Sequence, residues 1–365
     1  MLIYIIIFAL STLFFYKASR ISDARQRWFL VLLSILPVAL IAGVRDDCIG
    51  TDVLVYGKDC FLDVYHSRWY SEIDLVWMIR MEPGYLFLNY LVSRFTDSYN
   101  VFFGVLMALQ MFFVMRALLV FRNRMPVWLA LLVYYFSYYN ISLNQMRQSA
   151  ACAIVLFACT YAYKRKLLPF LIVVAFACTF HISAFVAFVI YPLFIFLRRT
   201  QSYKMMWSMV IMGIVMALLV QKSVDVVLAT IGLNADYAHY FKDSTHGFFI
   251  TKFLITLPMP MIFFYYRKRY FRKETIYLAF SLIVMVVATQ AREIIGNDAE
   301  RIMNYFVITQ IFALPFVCAH LNKTWRKVTG VLGMSFYIWY WYYMFIFNGY
   351  HDTYPYTSFI LNQWL

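Results

Sequence analysis

Charge is scarce in this chain, and acid is scarcer than base. Only 14% of the 365 residues are Asp, Glu, Lys or Arg, and 18 acids face 32 Lys and Arg. A soluble domain needs far more polar surface, so the composition excludes one. The net charge of +14 does not point to nucleic acid, because the basic residues sit in short clusters between apolar runs. Familiar catalytic signatures are missing too: HExxH, a Walker A glycine loop, G-x-S-x-G and a Cys/His zinc set are all absent. Six cysteines, Cys48, Cys60, Cys152, Cys159, Cys178 and Cys318, lack metal-ligand spacing. The last four fall in apolar runs, as core fillers do. Cys48 and Cys60 share one polar loop, where a disulfide can form if the loop faces an oxidising compartment. Met1 to Tyr16 has neither a basic n-region nor a small-residue cleavage site and reads as a first span.

Apolar residues dominate instead, at 64% of the chain, with a mean hydropathy of +0.69. Thirty Tyr and 36 Phe suit interfacial belts and the wall of a lipid or sugar site. The expected fold class is all-α: a polytopic integral membrane protein forming a single transmembrane domain over 1–365. Twelve spans are expected, at about 2–16, 28–44, 100–120, 126–140, 149–163, 167–181, 183–197, 205–221, 249–266, 275–291, 302–320 and 328–347. The run 84–95 is too short to cross comfortably and reads as a re-entrant or interfacial helix. No short internal repeat is visible.

Charge then orients the chain. The alternating loops 17–27, 116–125, 164–166, 198–204, 267–274 and 321–327 hold 21 of the 32 Lys and Arg but only Asp23 and Glu274 among the acids. By the positive-inside rule these loops are cytoplasmic, provided 84–95 does not cross. The loops 45–82 and 222–248 then face outward. Asp46-Asp47 has the look of the metal-binding diacid of nucleotide-sugar enzymes, but it lies on the wrong side for one, and neither a metal nor any other cofactor is expected.

The unusual polar residues gather on that outward side. The chain is organised around Asn140-Ile-Ser-Leu-Asn-Gln-Met-Arg-Gln148, a polar stretch between apolar helices. An arginine at such a junction costs roughly 2.5–3.5 kcal/mol at mid-bilayer, so Arg147 needs an anionic partner or water. Snorkelling to lipid headgroups is the plain alternative to facing an anionic substrate. Asn144, Arg147 and Gln148 have i, i+3, i+4 spacing, and so do Arg301, Asn304 and Tyr305, so each set shares a helix face. Two Arg/amide faces, with Arg45 and Arg292 nearby in the topology, are what a diphosphate would need, because guanidinium offers phosphate a planar fork of donors. The competing reading pairs Arg301 with Glu300 or Glu293, and Arg45 with Asp46 or Asp52. His181, alone between two apolar helices, is either a satisfied interfacial histidine or a general base or hydrogen-bond donor. Asp52, Glu82 and Glu293 are alternative bases. Asp59, Asp63, Glu72 and Asp74 read as solvated surface.

In order, Arg45, Gly50-Thr51-Asp52, Tyr56, Glu82-Pro83, Asn144-x-x-Arg147-Gln148 with Ala150, His181-x-Ser183 and Arg301-x-x-x-Tyr305 resemble the EpsG family. These are multi-spanning proteins of bacterial exopolysaccharide and capsule clusters, regarded as Wzy-type (O-antigen-type) polymerases. The resemblance implies a glycosyltransferase of the bacterial cytoplasmic membrane with its site facing outward. It would join polyprenyl (undecaprenyl) diphosphate-linked oligosaccharide repeat units, with lipid diphosphate as leaving group. The bilayer and the lipid-linked glycan are the implied partners, with a flippase and a chain-length regulator as further candidates. The arginines would stabilise charge on the leaving diphosphate. His181, Asp52 or Glu82 would take the acceptor proton. Trp69 and Tyr70 would stack on sugar rings.

Two other classes compete. A lipid-glycan flippase or transporter needs charge near mid-membrane and an inward-facing counterpart site, and the mid-span positions here are nearly free of charge. A membrane glycan acyltransferase would use an intramembrane histidine, which His181 fits, but its acyl donor is cytoplasmic and no inward-facing catalytic candidate is visible.

Overall fold

The computed structural model describes residues 1–200, 202, 204–208, 211, 256–270, 275–295 and 297–362, with backbone alone at 267–270 and 288–300. Every regular element among the described residues is helical. The chain divides into two compact units. One comprises Met1–Thr160, Leu168–Phe185 and Leu314–Leu365, the other Tyr161–Leu167 and Val186–Ala313.

The first unit begins with a helical hairpin, α1 (Leu2–Arg20) and α2 (Ala24–Gly43). Asp23 starts α2 by accepting a hydrogen bond from the amide of Gln26 at 2.8 Å, as an N-cap does. The hairpin closes midway on polar contacts, where Ser11 and Ser34 bond each other and Ser11 also meets the Tyr135 hydroxyl. Short helices follow: α3 (Lys58–His66), α4 (Leu75–Arg80) and α5 (Pro83–Ser93). At 11 residues α5 is about 16 Å long, well short of the hydrocarbon thickness. Next come α6 (Tyr99–Leu119) and α7 (Val127–Tyr134). A π-helical turn, Tyr135–Tyr139, carries α7 into the short α8 (Asn140–Asn144). The helix breaks at Gln145, where ψ reaches 62°, and α9 (Met146–Tyr163) starts at the next residue.

Side-chain contacts give the directions. Asn100 at the start of α6 bonds the carbonyl of Gly43 at the end of α2, and Trp28 at the start of α2 packs on Phe112. Tyr4 and Tyr16 of α1 meet Tyr139 and Trp128 of the α7–α8 helix. Along α6, Gln110 bonds the Met146 carbonyl and Phe113 packs on Phe157 of α9. So α1, α6 and α9 run one way, α2 and α7–α8 the other, and the chain reverses at Gln145. The basic segment near Ile21 lies beside Arg122, whose Nη1 bonds the Ile21 carbonyl. The 44–52 loop and the Asn140–Gln148 stretch share the opposite end.

Aromatic packing locks this unit. Tyr4, Phe8, Tyr135, Tyr139 and Trp341 are buried against one another. Their polar tips are satisfied inside: Tyr139 bonds the Val38 carbonyl, Trp341 donates to Asn140 Oδ1, and Asn140 Nδ2 donates to Thr353 Oγ1. The C-terminal part supplies α10 (Lys323–Trp341) and a π-helical continuation, Tyr342–Phe347, and its tail folds back along the 44–52 loop. There Ser358 bonds the Val44 carbonyl, Tyr356 the Ile41 carbonyl, and Asp46 accepts from the Phe359 amide.

In the second unit, helices Ile190–Thr200, Pro258–Tyr270, Thr275–Ile295 and Asn297–Val307 are described. Ser281 ties two of them by bonding the Phe306 carbonyl and accepting from Thr309.

Twelve spans are not what the described residues show. Five helical stretches are long and apolar enough to cross a membrane: Leu2–Arg20, Ala24–Gly43, Tyr99–Leu119, Ile182–Thr200 and Arg301–His320. The expected span 167–181 is a helix of 12 residues, Leu167–Cys178. Those at 126–140 and 149–163 are helical but meet at a polar break. The one at 328–347 belongs to a helix opening on Lys323, Arg326 and Lys327. The expected span 205–221 falls largely outside the described residues, 249–266 is described from 256 onward, and the 222–248 loop lies entirely outside them.

Candidate functional site

The site end of the first unit is built on two glycines. Gly50 has φ +86°, and a Cβ there would come within 2.6 Å of the Leu143 carbonyl oxygen. Only glycine combines that backbone with that approach. The turn it makes delivers Thr51 and Asp52 to Asn144, whose Oδ1 accepts from Thr51 Oγ1 and from the Asp52 amide, both at 3.0 Å. Two bonds to Oδ1 fix the amide, so Nδ2 points at His351 Nδ1, 3.0 Å away. Gly84 does the same for the second loop. A Cβ there would sit 2.2 Å from Thr179 Oγ1, and its amide donates to the Thr179 carbonyl at 2.7 Å. Glu82 is thereby held against the turn after Cys178, and its Oε1 accepts from the Ile182 amide.

Glu82 Oε2 then meets Arg147 Nη1 at 2.6 Å, with the two side chains 13% and 19% exposed. This is the anionic partner that Arg147 requires, 65 residues away in sequence. Arg147 Nη1 also makes a long hydrogen bond to the Arg80 carbonyl, and the guanidinium meets the Tyr56 hydroxyl, while the buried Nε has no partner. Beneath the guanidinium lies Tyr56, its ring centroid 4.5 Å from Cζ, with Tyr85 at 5.9 Å. Tyr56 donates its hydroxyl to Asp52 Oδ2 at 2.8 Å. Burial, and then the Asp52 carboxylate, push that hydroxyl's pKa well up, so it stays a donor.

Arg45 is the more isolated cation. It is 3% exposed, and its Nη2 touches only the Met146 sulfur, at 3.1 Å. Cζ lies 5.0 Å from the Phe103 ring, and Nε is buried without a partner. Neither Asp46 nor Asp52 pairs with it. Among the described residues the ion pairs are Lys58–Asp47 and Arg147–Glu82.

His181 belongs to the same neighbourhood, one residue before the amide that Glu82 holds. The Ser183 amide donates to His181 Nδ1 at 3.3 Å, and Ser183 Oγ lies 2.7 Å from it. An acceptor Nδ1 puts the proton of the neutral ring on Nε2. Gln148 is buried in the first turn of α9.

Arg45, Asp52, Glu82, Asn144, Arg147 and His181 are therefore brought to one end of one unit. Arg301 and Tyr305 lie in the second unit, on the helix Asn297–Val307, with Tyr305 fully buried. Arg292 and Glu293 are helical, but their side chains lie outside the described residues. Cys48 and Cys60 are free thiols, one exposed and one buried. Asp63, Glu72 and Asp74 are exposed yet not idle: they accept from Trp77 Nε1, from the Arg68 and Trp69 amides, and from the Val76 amide. Trp69 is 57% exposed, while Tyr70 packs edge-on against Tyr90. Tyr85, Met146 and His351 were not expected at the site. For His351 the sequence offers no sign beyond a glycine two residues before it.

One family model, that of the EpsG family, matches the chain over residues 28–358, a span that contains all of these groups. The chain belongs to the EpsG family. Membership points to a membrane protein of polysaccharide biosynthesis, in a family of glycosyltransferase-like polymerases. No curated relative and no solved structure matches the chain. In this EpsG protein the family-like positions Gly50, Asp52, Tyr56, Glu82, Asn144, Arg147 and His181 thus coincide with one connected network.

Proposed function

We propose that this EpsG-family protein is a repeat-unit polymerase that transfers a glycan from polyprenyl diphosphate to a hydroxyl of a second lipid-linked repeat unit, at the outer face of the bacterial cytoplasmic membrane. One observation carries the reading: Arg45, a buried cation without a carboxylate partner, beside Arg147, a second cation in the same site. A buried cation left alone is costly, and a membrane-anchored diphosphate is the anion that would relieve it. The site lies at the end of the first unit away from Ile21 and Arg122, which is the outward side if the basic loops are cytoplasmic.

In this reading the acceptor oxygen bonds to the anomeric carbon while the bond to the diphosphate oxygen breaks, and the electron pair leaves on the diphosphate. Arg45 and Arg147 stabilise that charge. Asp52, which accepts from the Tyr56 hydroxyl, is the base. Glu82, with both oxygens engaged by Arg147 and the Ile182 amide, positions Arg147.

The test is a deletion strain complemented with wild type or Arg147→Ala, with surface glycan read on a gel and lipid-linked repeat units by mass spectrometry. Loss of polymer with single units accumulating on the outer leaflet supports the polymerase. Accumulation on the inner leaflet would make the protein a flippase, and unchanged polymer lacking a substituent would make it an acyltransferase.

A further inference from the structure

Tyr56 lies between the two halves of the site, and neither half explains it. Its side chain is 5% exposed at the end of a short π-helical turn, Val53–Gly57. The ring has two neighbours of consequence, the Arg147 guanidinium on its face and Tyr85 at its edge, 6.0 Å away. The hydroxyl has two, donating to Asp52 Oδ2 and accepting from the Arg147 guanidinium. A π turn places residue 56 one position further round than an α turn would, and such turns recur at functional sites. The turn is shaped from both sides: a Cβ on Gly57 would meet the Met146 methyl at 2.7 Å, so the backbone here is pressed against the residue preceding Arg147.

We propose that Tyr56 is a positioning residue that sets the leaving-group arginine and the base with one side chain, its ring under Arg147 and its hydroxyl on Asp52. This rests on the polymerase reading above. Arg147 is fixed in direction by Glu82 at Nη1, and Tyr56 sets the face of the guanidinium with its ring and meets it again with its hydroxyl. Asp52 is fixed in position through its amide, by Asn144, and in rotation through Oδ2, by Tyr56. A phenol supplies both a face for a guanidinium and a donor at the far end of the same rigid plane. The distance between base and leaving-group cation is then built into the side chain.

The two functions separate by mutation. Tyr56→Phe keeps the ring and deletes the hydroxyl. Tyr56→Leu deletes both. Purified wild type and variants, in detergent, are given lipid-linked repeat units extracted from a strain lacking the polymerase, and polymer formation is followed on a gel. Binding of farnesyl diphosphate is followed separately by thermal shift. Tyr56→Phe is expected to lower kcat roughly 10- to 100-fold, the worth of a hydrogen bond to a charged acceptor, with a smaller effect on farnesyl diphosphate binding because the ring still faces Arg147. Tyr56→Leu is expected to weaken farnesyl diphosphate binding as well, by roughly 3- to 30-fold, the worth of a desolvated cation–π contact. In an Asp52→Asn background Tyr56→Phe is expected to cost nothing further in kcat. A purely structural tyrosine would lower kcat and binding by the same factor in both variants, and that result overturns the proposal, as does a Tyr56→Phe protein with wild-type kcat. Failure of the polymerase reading looks different: wild type then makes no polymer, and the farnesyl diphosphate arm still decides whether the ring sets Arg147.

Discussion

Arg147→Lys isolates what the guanidinium does beyond carrying charge. Glu82 Oε2 is 2.6 Å from Nη1, and the pair is mostly buried. Removing the cation altogether, as in Arg147→Ala, would strand that carboxylate. Breaking a buried pair costs about 3–5 kcal/mol, and the partial exposure of this one brings the expectation to about 2–3. Lysine avoids most of this, because an ammonium can still reach Glu82. What lysine loses is the planar stack on Tyr56 at 4.5 Å and the second edge of the fork. The stack is worth about 1 kcal/mol, a few degrees in Tm at most for a chain of this size. A lost charge-assisted bond to a phosphate oxygen is worth about 1.5–3 kcal/mol, or 10- to 100-fold in turnover. The variant should therefore be folded and abundant in the membrane, with near-native thermal stability by fluorescence-detected size exclusion, yet nearly unable to make polymer. Lysine-bearing protein at native abundance with a full ladder of polymer would refute the phosphate fork and leave Arg147 as a structural ion pair.

Gly84→Ala should displace the Glu82 loop, since its Cβ would fall 2.2 Å from Thr179 Oγ1 and 2.8 Å from the carbonyl. We expect a loss of about 1–3 kcal/mol in stability together with lost activity, and a stable, active alanine variant would contradict the packing. Burial pushes the Cys60 thiol up to about 12, so at pH 8 it should resist maleimide in the folded protein while exposed Cys48 reacts. Labelling of Cys48 in intact cells by a membrane-impermeant maleimide checks the orientation, and labelling only after lysis would reverse it. Asn144→Ala should release Thr51, the Asp52 amide and His351 together, so activity is expected to fall at least 100-fold with a loss of about 2 kcal/mol, read as turnover and Tm.

How much of this was legible in the sequence depends on whether a residue's job is local. The polar break at Asn140–Gln148 was, because helix ends need polar groups and the break at Gln145 falls inside it. The glycine of Gly50-Thr51-Asp52 was visible as a family-like motif, though its reason, a left-handed turn against Leu143, is not sequence information. The Glu82–Arg147 pair was not legible, since nothing in either segment names a partner 65 residues off. Arg147 was seen to need an anion, and the nearest acids were weighed for the other arginines instead. Span counting failed for a related reason. Hydropathy treats Asn140 as a cost, yet inside the unit it is satisfied by Trp341 and Thr353, so a helix passing through the bundle interior can carry it. Apolar runs therefore misjudge helices that face protein rather than lipid.

Arg45 and Arg147 have opposite energetic positions, and this yields the sharpest consequence of the site. Arg147 is compensated, so its removal should harm the fold as well as the reaction. Arg45 is not. Its neighbours are a thioether, the Phe103 ring and tyrosines, and its buried Nε lacks any bond. Replacing a poorly compensated buried charge by an apolar side chain of similar length is commonly neutral or stabilising, by about 1–4 kcal/mol in favourable cases. Arg45→Met should therefore raise Tm in detergent while abolishing polymer, the trade expected where a protein keeps a costly group for its substrate. Farnesyl diphosphate should stabilise wild type and leave Arg45→Met unmoved, because the anion supplies the missing compensation only where the cation exists. If Arg45→Met instead unfolds the protein, the arginine is a structural keystone of the aromatic cluster, and the diphosphate must be held without it.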